Sequence, residues 1–225
     1  MTVQRMGSQG CLTLIGGGEF SFGETLVADR AWLEGLAPGP IGFLPTASGS
    51  TDYGSHFEQY LLQTFDREVR TIPIYRSRDA RRTKNLQRIE DCAAIYLGGG
   101  VADQLIETLV DSPALETLGR LLGEGRTVVA IAAAAQALGI LARSLRGRTD
   151  LVGLGWLPSG VVEPNFDPGH DRRLRQLMSA TGVQWGLGLP AGSAVLMGPS
   201  NQNVFVGTAF VLEDADGDFE IFGQE

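Results

Sequence analysis

Val128-Val129-Ala130-Ile131-Ala132-Ala133-Ala134-Ala135-Gln136-Ala137-Leu138-Gly139 passes without a break from a β-branched run into an alanine-rich helical one. A strand that turns straight into a helix has the shape of a nucleophile elbow. There, Gly-x-Ser-x-Gly stands a hydroxyl at the carboxyl edge of a sheet, and small flanking residues let the tight turn fit. Here the pattern reads Ala130-x-Ala132-x-Ala134, so the shape is kept and the nucleophile is missing.

Working outward, short apolar runs alternate with longer amphipathic ones, the pattern of a largely parallel sheet covered by helices on both faces. Strands are expected at Cys11 to Ile15, Ile41 to Leu44, Val69 to Ile74, Ala93 to Leu97 and Thr127 to Ile131. Gly23 to Leu36, Gly54 to Phe65, Asp79 to Asp91, Ala102 to Leu109 and Pro113 to Leu122 have helical spacing, with Pro113 suited to a first turn. Beyond Gly139, Leu151 to Leu157 and Gly160 to Val162 read as extended and His170 to Thr181 as helical. Gln184 to Leu189, Ala194 to Met197, Val204 to Leu212 and Phe219 to Phe222 suggest a β-rich, antiparallel C-terminal extension of the sheet. With no repeat or linker, residues 1–225 read as a single domain.

A net charge of -8 argues against nucleic acid and anionic membranes as partners. The basic run from Arg70 to Arg88 reads as a solvated face. Cys11 and Cys92 have neither metal spacing nor a disulfide framework, and read as core thiols of a reducing compartment. The first ten residues lack an apolar stretch after their charge, and no later run is long and apolar enough to span a bilayer. A cytoplasmic protein is expected.

Ligands of such folds bind beyond the carboxyl ends of the strands. Gly16-Gly17-Gly18-Glu19-Phe20, Pro45-Thr46-Ala47-Ser48-Gly49, Gly98-Gly99-Gly100 and the alanine elbow are therefore expected to line one cleft. The glycine run at Gly16 lacks the last glycine of a dinucleotide loop, since Ser21 stands there.

In this order the segments resemble the dipeptidase E and cyanophycinase family of serine peptidases. The resemblance rests on Leu14-Ile15-Gly16-Gly17-Gly18-Glu19, Phe43-Leu44-Pro45-Thr46-Ala47, Tyr96-Leu97-Gly98-Gly99-Gly100 and Ala137-Leu138-Gly139. It continues through Gly153-Leu154-Gly155-Trp156-Leu157-Pro158, Pro164-Asn165-Phe166, Gly169-His170 and Arg172 to Leu177. It implies a class I glutamine amidotransferase-like domain: a flavodoxin-like three-layer α/β sandwich, in a homodimer.

The resemblance also places the nucleophilic serine at Ala132 and the catalytic histidine at Asn165, with Asp150 in the vicinity of the acidic partner. A methyl group cannot attack a carbonyl, and an amide cannot cycle a proton as imidazole does. A second acidic site of some relatives falls at Gly188-Leu189-Pro190-Ala191, where no acid remains. The expectation is a catalytically degenerate relative with no cofactor or metal. Its cleft would bind a small acidic peptide or amino-acid-like ligand through Gly98, Gly99, Gly100, Gln136, Asn165, Glu19 and Thr46.

Two other readings stand beside it. In one, the protein is a divergent hydrolase with a relocated base, His170 with Asp150, served by a serine such as Ser48 or Ser144. In the other, it is an inert subunit that stabilises an active paralogue. His170 otherwise reads as a cap or surface residue, His56 as a packed or surface residue, and Asp103-Gln104 as an ordinary helix start. Asp214 to Glu220 has calcium-loop offsets, with Glu225 in twelfth place, but Phe219 replaces the required glycine and a hairpin turn is expected.

Overall fold

The structure is a computed structural model and describes residues 3–7, 9–147 and 149–223. Strands β1 (Cys11–Ile15), β2 (Ile41–Leu44), β3 (Val69–Thr71), β4 (Ala94–Leu97) and β5 (Thr127–Ile131) lie parallel in the spatial order 1-5-4-2-3. From β2 onward this is the flavodoxin-like succession, with β1 in the fifth place.

Both sheet faces are covered, which is why these strands are apolar throughout. Along β5, Val128 and Ala130 join a core with Leu12, Leu14 and Leu97, whereas Val129 and Ile131 join another with Ile15, Phe43 and Tyr96. The first core is closed by α3 (Thr83–Glu90), α4 (Ala102–Leu109), α5 (Pro113–Gly123) and α6 (Ala133–Ala137). The second is closed by α1 (Leu26–Leu33) and α2 (Thr51–Phe65).

Several boundaries differ from the sequence reading. β3 stops at Thr71 because Pro73 has no N–H for a ladder. α2 begins three residues early, where the Ser50 side chain accepts from Asp52 N. The span Asp79 to Asp91 breaks at the extended Arg82 into a 3-10 turn and α3, and the Asp79 carboxylate accepts from Arg76 N instead of extending a helix. Within the basic run Arg70 to Arg88, Arg70 pairs with Glu68, and Arg78 and Arg82 flank Asp79.

In the second half, β6 (Leu141–Ala142) pairs with β7 (Leu151–Val152). The rest of the expected strand to Leu157 instead satisfies the end of α6, with Leu154 N on Ala137 O and Trp156 N on Leu138 O. β8 (Gly160–Pro164) follows, then a 3-10 turn carrying His170, α7 (Arg172–Met178), β9 (Trp185–Leu189), β10 (Ala194–Met197) and β11 (Asn203–Val206). The chain ends in β12 (Ala209–Leu212) and β13 (Glu220–Phe222).

The C-terminal extension is not one antiparallel addition. β10 and β11 extend the main sheet beside β1, but at Gly207, φ 66°, the chain leaves for a second sheet of order β13-β12-β9-β8, in which β8 and β9 are parallel. Of Asp214 to Glu220, the residues up to Phe219 form the turn between the antiparallel β12 and β13, and Glu220 opens β13. Arg175 donates to Ala215 O and Gly217 O there and stacks 5.0 Å from the Phe219 ring centroid. Glu225 lies outside the described residues. Cys92 is buried and Cys11 half-buried, both free thiols. No helix among the described residues is long and apolar enough to cross a membrane.

Candidate active site

β5 ends at Ile131 and α6 starts at Ala133, so Ala132 alone makes the turn, at φ 52° and ψ -117°. A Cβ-bearing residue held in so sparse a region stores roughly 1–3 kcal/mol of strain. The alanine elbow has not relaxed. Its turn is pinned from both sides: Ala132 N donates to Ile15 O at 2.9 Å, and Ala132 O accepts from Gln136 N at 3.0 Å.

The Gly98 to Gly100 turn leans over it. A Cβ on Gly99 would lie 3.6 Å from that of Ala132, and one on Gly100, φ 148°, would collide with the Ala47 carbonyl at 2.4 Å. Behind the turn, a Cβ on Gly98 would meet the rings of Phe43 and Tyr53. Burial raises the Tyr53 phenol to about 12, while a hydrogen bond from the Gly99 backbone works the other way.

Asn165 follows β8 at φ 49°, a conformation asparagine tolerates better than most residues. Asn165 N donates to Gly16 O at 2.8 Å, and Phe166 N to Leu189 O at 3.0 Å. Its side-chain amide lies on Gly17, where an added Cβ would come within 2.1 Å of Asn165 Oδ1.

Ala132, Gln136, Arg143, Glu163, Asn165 and Arg173 line one chamber of about 210 Å³, with Gly100 at its rim. Glu163 is 6% exposed, and Gln136 Nε2 donates to it at 3.4 Å. Burial pushes its carboxyl above the ordinary value, and the Arg143 and Arg173 charges offset this only in part. Among the described residues neither arginine has an ion-pair partner, and Arg143 Nε is buried without an acceptor. The half-buried Arg143 and the exposed Arg173, beside one reluctantly ionised carboxyl, make this lining positive on a chain of net charge -8.

The segment after Arg143 is clamped to α4. Buried Asp103 accepts from Ser144 Oγ at 2.5 Å and Leu145 N at 3.0 Å, while Arg146 reaches Gln104 and Glu107. Burial disfavours the Asp103 anion, but these donors outweigh it and its pKa is lowered. Asp103-Gln104 is thus more than a helix start.

The expected cleft is divided. Gly100, Ala132, Gln136 and Asn165 meet in the chamber. Thr46 does not: it is buried, and its hydroxyl donates to Ile74 O at 2.8 Å. Glu19 lies outside, lining a groove beside α2, with the Phe20, Tyr53 and Phe43 rings packed in series behind the glycine turn. Exposed Asp150 lines an adjoining cavity of about 220 Å³ that shares Arg143 and Arg173 with the chamber.

His170 lines another adjoining cavity, of about 630 Å³. Its side chain is 85% exposed, with Nδ1 2.7 Å from Asp167 Oδ2 rather than near Asp150. Ser48 Oγ donates to Pro45 O and Ser144 Oγ to Asp103, so neither hydroxyl is paired with His170. Exposed His56 lines the α2 groove. Arg143, Glu163 and Arg173 were not singled out from the sequence, although an acid following Val161-Val162 in an otherwise apolar strand was a signal for Glu163. Among the described residues, no group of three or more His, Cys, Asp or Glu could hold a metal.

Comparison with known proteins agrees with this architecture. The chain is 29% identical over 192 residues to cyanophycinases of Synechococcus elongatus and Thermosynechococcus vestitus, matching 80% of this chain and 59% of theirs. It therefore spans less than two thirds of their length. A peptidase from an acI-B1 Actinobacterium has a similar fold, with a TM-score of 0.75, 19% identity and coverage of 98% and 96% of the two chains. A peptidase-E-like protein from Listeria monocytogenes EGD-e superposes with a TM-score of 0.65 at 14% identity, covering 88% of this chain and 98% of its own. The pattern of peptidase family S51 matches residues 12–204, and the chain belongs to that family.

Proposed function

We propose that this protein is a catalytically degenerate member of family S51 that binds a small acidic peptide or amino-acid-like ligand in the elbow chamber. The observation that carries this reading is Ala132. It occupies the strained elbow with only a methyl group, in a chamber that also holds Asn165, the amide to which the family resemblance assigns the histidine's place. Loss of nucleophile or base from a hydrolytic triad costs many orders of magnitude in rate. What remains is a positive pocket: Arg143 and Arg173 offer guanidinium forks suited to carboxylates, and Gln136 and Asn165 offer amides.

The experiment is long incubation of the purified protein with Asp-containing dipeptides, read by mass spectrometry for products and by calorimetry for binding. An active family member serves as control. Binding without products is expected, and Ala132→Ser is expected to stay silent because Asn165 supplies no base. Products from the native chain, or robust turnover by Ala132→Ser, would overturn the reading.

One observation favours the competing reading, a hydrolase with relocated groups. Glu163 is a buried carboxyl of raised pKa inside the chamber, the profile of a general acid or base. Turnover abolished by Glu163→Gln would establish that reading. Turnover abolished by His170→Ala would instead move the chemistry to the adjoining cavity.

A further inference from the structure

A second concavity lies on the other side of the Phe43 and Tyr53 rings, between the loop after β1 and α2. It consists of two chambers, of about 670 and 370 Å³, that share Phe20, Ser21 and His56. One wall is a single face of α2, formed by His56, Gln59, Tyr60, Gln63 and Thr64 at helical spacings of three and four. Exposed helix faces are ordinarily rich in charge, but this stripe carries no fixed charge. The opposite wall is Phe20 and Leu26.

Fixed charge enters at one end only, and it is negative. Glu19 and Asp52 line the smaller chamber, and among the described residues no lysine or arginine lines either one. An anion entering here would lose hydration and meet carboxylates. A protonated amine would gain charge-assisted partners.

The walls are already ordered. Phe20 stacks on Tyr53 at 6.0 Å, meets Phe57 edge-on at 5.7 Å and touches Tyr60 at 5.1 Å. Tyr60 is held by its hydroxyl donating to buried Asp29 at 2.9 Å. The turn bearing Glu19 is fixed as well: Glu19 Oε1 accepts from Ser21 N and Ser21 Oγ, and Glu19 N donates to Glu24 Oε2 at 2.7 Å. Little ordering cost remains for a ligand to meet.

We infer that this groove is a second ligand site, distinct from the elbow chamber, and that it takes an organic amine with a planar apolar body. The body lies against Phe20 and Tyr60, with the α2 amides at its edge, and the ammonium faces Glu19 and Asp52 beside the aromatic rings. The inference is independent of whether the elbow binds or hydrolyses anything.

Three probes that share an indole and differ in charge test it: tryptamine, neutral tryptophol and indole-3-acetate, titrated by calorimetry with backbone amide shifts followed by NMR. Tryptamine is expected to bind about tenfold or more tightly than tryptophol, with indole-3-acetate weakest, the order that ion pairing and desolvation dictate. Its shifts should fall on residues 19–26 and on α2. Glu19→Gln with Asp52→Asn should bring tryptamine to the level of tryptophol. Gln63→Lys, on an exposed helical position that tolerates lysine, should abolish tryptamine binding while the far-ultraviolet spectrum is kept. Equal binding of the three probes, shifts confined to the elbow, no tryptamine binding, or indifference to Gln63→Lys would each overturn the inference.

Discussion

The elbow chamber and the α2 groove lie near the same carboxyl edge of the sheet, yet they are built in opposite ways. The chamber stands on strained backbone, Ala132 at φ 52° and Asn165 at φ 49°, and is lined by Arg143, Arg173 and Glu163. The groove stands on a regular helix and a capped 3-10 turn, and is lined by aromatic rings, neutral polar side chains and two carboxylates at one end. The scaffold puts concavities where strands end, but the sign of charge inside each comes from whichever loop or helix borders it. In the chamber, both arginines come from the second half of the chain, outside the strand-end loops.

The sharpest way to break the contrast is to remove the arginines. Arg143→Ala with Arg173→Ala should weaken an acidic dipeptide by about 3 kcal/mol, roughly a hundredfold, since hydrogen bonds to charged groups contribute about 1.5–3 kcal/mol each. Tryptamine binding in the groove should be unchanged. Calorimetry on the same preparation reads both. An unchanged dipeptide affinity would place the ligand elsewhere.

The reason these arginines escaped the sequence reading is physical. The five parallel strands announce themselves because burial on both faces demands unbroken apolar runs, and each was located to within a few residues. The elbow was legible because its strand and helix are contiguous. A cavity is different, because it is made by residues distant in sequence. Arg143 reaches the chamber through the Asp103 clamp, and Arg173 through α7 packing on β8 and β9. Nothing local marks either one. The same logic explains Thr46 and Glu19: both follow strands, as expected, but side-chain direction sent one to the Ile74 carbonyl and the other across the aromatic layer.

A smaller effect follows from Glu163. Its folded pKa is raised, so over the interval between its unfolded and folded values the native state holds the proton that the unfolded chain has lost. Stability therefore falls as pH rises through that interval, and below it the two states no longer differ at this group. For binding the direction is the same: as pH falls into the interval, Glu163 loses its charge, the chamber becomes more positive, and an acidic ligand gains a few-fold in affinity until its own carboxylates protonate. Glu163→Gln should flatten both dependences. Dipeptide titrations from neutral to mildly acid pH check this, and an undiminished pH slope in the variant would assign the effect to another group.

The smallest effect concerns the strain itself. If Ala132 is held at positive φ only by its neighbours, Ala132→Gly should relieve the cost without disturbing them and stabilise the fold by about 0.5–1 kcal/mol, net of glycine's greater freedom when unfolded. For a chain of this size that is about 1–4 °C in Tm, measurable by calorimetry. Gln63→Ala in the groove, on an unstrained exposed helix face, should fall within about 0.5 kcal/mol of the native chain. The two hydrogen bonds that pin Ala132, to Ile15 O and from Gln136 N, give the strain a structural cause. Its survival therefore requires no chemistry at the elbow. A destabilising Ala132→Gly would mean that the methyl group packs usefully against Gly99 and that the turn is a fitted wall of the chamber, carrying no stored strain.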